Sequence, residues 1–84
     1  MTADLAAFIL EKTGPVGLRV YLDLEHTQQM RGEAPAVVVL GIADRLRVPV
    51  REVRTAIRLL STWMVIERIP KRTGVERYQL EATR

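Results

Sequence analysis

The sequence predicts an α+β fold, mostly helical, in which a helix-turn-helix unit is followed by a C-terminal β-hairpin. Three observations predict it. Residues 50–63 place Val53, Ala56, Ile57 and Leu60 at helical spacing, giving one apolar stripe on an otherwise polar segment. A shorter helical pattern lies just ahead of it, separated by a break at Val48-Pro49. After Met64 the apolar period shortens to that of strands, around a Gly-containing turn.

Each element has its own signals. Residues 3–12 read as a short helix with Leu5, Phe8, Ile9 and Lys12 in register, capped by Thr2 or Asp4. Thr13-Gly14-Pro15-Val16-Gly17 ends it, since Gly14 suits the position after a helix and Pro15 cannot continue the ladder. A second helix is expected over 18–30, with Leu18, Tyr21, Leu22 and Glu25 on one face and Leu24 beside them. Residues 31–35 form a polar break containing Gly32 and Pro35. The β-branched run at 36–40 is expected to be a short strand leading into a helix over 41–47 that points Ile42, Ala43 and Leu46 inward. Pro49 sits in the first turn of the helix that follows. Residues 65–71 and 75–80 read as two strands joined at Arg72-Thr73-Gly74.

A chain of 84 residues holds one small core. Residues 18–84 are expected to form it. Residues 1–17, the N-terminal helix and its turn, are expected to pack against a second copy, because so small a domain gains stability from dimerisation. No apolar run approaches the ~20 residues that span a bilayer. The N-terminus lacks a basic region, so no secretory signal is expected. With no cysteine there is no disulfide, thiolate metal site or cysteine nucleophile. His26 is the one histidine and Ser61 the one serine, and nothing brings them together, so neither an enzyme nor a metal or cofactor site is expected.

Charge is segregated. Residues 1–39 carry three basic and five acidic side chains, whereas residues 40–84 carry ten basic and five acidic, nine of the ten being Arg. Projected at about 100° per residue, helix 50–63 shows Arg51, Arg54, Thr55, Arg58 and Thr62 opposite its apolar stripe, with Glu52 only on the flank. A solvated helix face usually mixes signs. An all-basic face suits a helix in the DNA major groove, where Arg donates twice to guanine and Thr meets a base edge or a thymine methyl. Arg45 and Arg47 lie on the outer side of the preceding helix, and Lys71, Arg72 and Arg77 lie at or near the hairpin tip, placed for phosphates or the minor groove.

The segment resembles the helix-turn-helix of winged-helix transcription regulators of the GntR and MarR kind. Ile42-Ala43 stands for their Leu-Ala pair, Leu46-Arg47-Val48 for the Leu-Gly-Val turn, and Val53-Arg54-Thr55-Ala56-Ile57-Arg58-Leu59-Leu60 for Val-x-x-Ala-Leu-x-x-Leu. Met64-Val65-Ile66-Glu67-Arg68 and Tyr78-Gln79-Leu80 correspond to the segments around the wing. The resemblance covers residues 36–80, and the chain departs from it at Arg47 and Met64, which replace glycines. It implies a winged helix-turn-helix with an additional N-terminal helix, duplex DNA as partner, and a homodimer. It places Val50, Arg51, Arg54, Thr55 and Arg58 on the recognition helix and Lys71 and Arg72 on the wing. The expectation is therefore a small transcriptional regulator in the cytoplasm, associated with the nucleoid and not with a membrane. The competing expectation is a protein-interaction adaptor of a replication, chromosome-maintenance or transcription complex, anchored by the N-terminal helix or Trp63.

Overall fold

The computed structural model describes residues 2–31, 39–69 and 77–80, and at 31, 67–69 and 77–80 it describes the backbone alone. Five elements follow one another: α1 (Ala3–Arg31), α2 (Val39–Leu46), α3 (Val50–Thr62), β1 (Ile66–Ile69) and β2 (Arg77–Leu80).

The first helix starts where a cap is available. Thr2 Oγ1 accepts from Leu5 N–H at 3.1 Å, and the Thr2 carbonyl accepts from Ala6 N–H at 3.1 Å. The two helices expected here are present and run on from one another across a kink at Gly14, so α1 is two helical segments joined at that residue. Gly14 alone leaves helical geometry, at φ 79° and ψ 178°, a conformation reserved for glycine. The break spans one residue, not 13–17, because Pro15 brings the φ of a first helical turn and restarts the ladder at once. Beyond the kink, the face turned to the core is Val20, Tyr21 and Leu24, all essentially inaccessible. The expected face ran through Leu22, which is 45% exposed. Gly17 shares the inner side. A Cβ there would collide with the Thr13 side chain, which the Thr13 Oγ1 hydrogen bond to the Ile9 carbonyl (2.7 Å) holds in place.

The strand expected at 36–40 is also corrected. Val39 and Leu40 are the first turn of α2, and 36–38 lie outside the described residues. Among the described residues the sheet has two strands, β1 and β2, which pair only with each other, so a strand at Val39 has no partner. Ile42 and Ala43 are buried and Leu46 is partly so, as the spacing predicts.

The expected α+β winged arrangement does not stand. The structure is mostly helical: among the described residues, α1, α2 and α3 supply ten of the twelve buried hydrophobic side chains, and Val65 and Ile66 supply the other two. No β-hairpin wing is seen among the described residues. Strand backbone is confined to two four-residue antiparallel segments, in which Ile66 faces Leu80 and Ile69 faces Arg77. The expected turn at 72–74 and the expected strand residues 70–71 and 75–76 lie outside the described residues, and Val65 precedes the first strand.

The N-terminal segment packs on its own chain. Ile9 is fully buried and Leu5 partly, while Phe8 meets Trp63 edge-to-face with ring centroids 6.2 Å apart. The residues expected to dimerise are thus largely committed to the monomer core. Among the described residues, no helix is long and apolar enough to cross a membrane.

Candidate nucleic-acid interface

The centre of the site is α3. Val53, Ala56, Ile57 and Leu60 are all buried, which fixes the rotation of the helix and turns Arg51, Arg54, Thr55, Arg58 and Thr62 outward, all exposed. Among the described residues, Arg51, Arg54 and Arg58 make no salt bridge. Each guanidinium therefore keeps its fork of donors for an external acceptor. The two threonines are partly engaged. Thr55 Oγ1 donates to the Arg51 carbonyl at 2.9 Å and Thr62 Oγ1 to the Arg58 carbonyl at 2.8 Å, so each offers a methyl and oxygen lone pairs but no free proton. Val50 is the first residue of α3 and is half-buried against the core.

The N-terminus of α3 is open. Pro49 is extended at φ −60° and ψ 144°, and no side chain caps the helix. Glu52 and Val53 N–H both donate to the Pro49 carbonyl, at 3.0 and 3.3 Å. Val50 and Arg51 N–H fall ahead of the intrahelical ladder.

The turn between α2 and α3 is set by a left-handed residue. Arg47 has φ 56°, and Val48 N–H donates back to the Ala43 carbonyl at 3.1 Å. This closure normally employs glycine. The same device ends α3: Met64 has φ 57°, its N–H donates to the Ser61 carbonyl at 3.0 Å, and Val65 N–H donates to the Leu60 carbonyl at 2.9 Å. Arg47 and Met64 are thus both left-handed residues that end helices. Arg47 is exposed beside the turn, lining an open cleft with Asp44 and Val50.

Arg45 does structural work. Its Nε and Nη2 donate to the two Asp23 carboxylate oxygens at 3.0 and 2.7 Å, tying α2 to α1. This hydrogen bonding to Asp23 raises the Arg45 pKa. Arg19, which no motif singles out, donates from Nη2 to the Leu46 carbonyl at 2.7 Å and so caps the C-terminus of α2. Asp23 and Arg45 are 22 residues apart, and no local pattern signals the pairing. Lys71 and Arg72 lie outside the described residues, and Arg77 is placed only as the β2 residue paired with Ile69.

No family model, curated protein or solved structure matches the chain. The arrangement of α2, the turn and α3 must therefore be judged on its own chemistry. Among the described residues no group of His, Cys, Asp or Glu is clustered to hold a metal ion.

Proposed function

We propose that the chain binds double-stranded DNA, as a small transcriptional regulator acting on the nucleoid in the cytoplasm. One observation carries the proposal: a packed helix presents Arg51, Arg54 and Arg58 to solvent without ion-pair partners among the described residues. A basic helix face held rigid from behind suits the major groove, because its side chains reach base edges while the core fixes their register. The uncapped start of α3 and exposed Arg47 supply donors for the neighbouring phosphates. In this reading Arg45 acts indirectly, by holding α2 against α1 through Asp23. A homodimer uses the surface that α1 leaves exposed, including Leu10 and Leu22.

Selection of the purified protein against random duplex DNA at near-physiological salt tests this. Enrichment of an inverted repeat is the expected result, and its half-site spacing reports the dimer geometry. Retention without an enriched motif replaces the regulator with a binder of backbone and shape. Absence of retention transfers the proposal to a protein-interaction adaptor. The observation favouring that second reading is the aromatic pair Phe8 and Trp63, 37% and 44% exposed, with the Lys12 ammonium 4.8 Å from the Trp63 ring centroid.

A further inference from the structure

The kink in α1 opens a cleft of about 210 Å³ against α3. Its floor is apolar: Gly14, Pro15 and Val16 from α1, Ala56 and Leu59 from α3. The opening follows from the sequence, since Gly14 has no side chain to fill it and a Cβ built there meets nothing within 4 Å. Ala56 opposite is small.

The polar groups at the cleft are of one kind. Thr13 and Thr55 each have a single hydroxyl proton, and both protons are committed to helix carbonyls, at Ile9 (2.7 Å) and Arg51 (2.9 Å). Their oxygens remain acceptors. Glu52 adds a carboxylate, which only accepts and has no ion-pair partner among the described residues. Pro15 has no N–H to offer. The three arginines of α3 do not line the cleft. A guest must therefore bring its own donors, and beside Glu52 a positive charge is favoured. The cleft is open to solvent on one side and has room for one ring with a short arm.

We infer that this cleft is a binding site for a small apolar molecule bearing a primary ammonium group, its body on the Pro15–Leu59 floor and its ammonium beside Glu52 and Thr55. The inference does not depend on DNA binding, and it holds or fails separately.

The test is a titration of the whole chain with benzylammonium, read by amide NMR. Saturable shifts confined to Gly14, Val16, Thr55 and Leu59 and their neighbours are expected. Methylammonium, which lacks the apolar body, should bind about tenfold more weakly. Benzoate at equal ionic strength should leave these amides unmoved. Glu52→Gln should weaken benzylammonium about fivefold, as expected for an exposed charge contact. Thr55→Val should weaken it as well, and Arg54→Ala should not. The inference is overturned if benzylammonium gives no saturable shift, if benzoate or methylammonium binds as well, or if both Glu52→Gln and Thr55→Val leave affinity unchanged.

Discussion

Met64→Gly isolates the cost of a left-handed helix end. Met64 holds φ 57° while its side chain is 66% exposed, so removing that side chain forfeits little burial. A left-handed L-residue costs about 1–2 kcal/mol. Glycine escapes that cost but adds about 0.4–1 kcal/mol of unfolded-state entropy. The difference is a stabilisation of about 0.5–1 kcal/mol, or about 2–8 °C in Tm for a domain of this size. The same reckoning applies to Arg47→Gly, at φ 56° and exposed. The two sites lie at opposite ends of α3, about 20 Å apart at 1.5 Å per residue, so their effects should add. Urea and thermal unfolding of the two single variants and the double variant measure this. Arg47→Ala is the control: it removes the guanidinium but keeps the strained backbone, and should leave stability within about 0.5 kcal/mol. If the glycine variants are no more stable than the parent, or if Arg47→Ala stabilises as much as Arg47→Gly, the reasoning from backbone strain is wrong.

Other outcomes follow from the same geometry. Gly14→Ala has room for its methyl but the wrong φ, and should lose about 1–3 kcal/mol by urea unfolding. Gly17→Ala has the reverse problem: its methyl strikes Thr13, and it should lose about 1–3 kcal/mol by overpacking. Leu60→Ala, at a fully buried position on α3, should cost about 2–5 kcal/mol. Asp23→Asn breaks the bidentate pair with Arg45, whose side chain is 55% exposed. That exposure limits the expected loss to about 1 kcal/mol, and it should shrink when unfolding is repeated in high salt.

The legible parts of this chain were those governed by one long period. On α3 the spacing of Val53, Ala56, Ile57 and Leu60 decided which side is buried, and so which arginines face outward. Where signals were short or distant, the reading failed for identifiable reasons. Gly14-Pro15 signals a stop, and helical geometry does break at Gly14, but the break is one residue wide because the same proline starts the next helical turn. Val39-Leu40 has strand composition, but two residues without a partner strand take the helix that buries Ile42 and Ala43. On α1 both Leu22 and Val20 lie on plausible apolar faces. The core takes the side of Val20 and Tyr21, and Leu22 is left in solvent. The roles of Arg45 and Arg19 depend on α1 lying beside α2, which no local pattern encodes. Arg47 and Met64 stood out in the sequence as missing glycines, and their φ angles give that departure its physical meaning.

The central claim rests on the outward arginines of α3. The direct measurement is duplex DNA affinity as a function of salt, for the parent and for the variant with Arg51, Arg54 and Arg58 all replaced by Ala. The account predicts that log K falls linearly with log salt, and that the variant binds more weakly with a slope shallower by about one for each phosphate contact removed. A variant that matches the parent in both affinity and slope would contradict it.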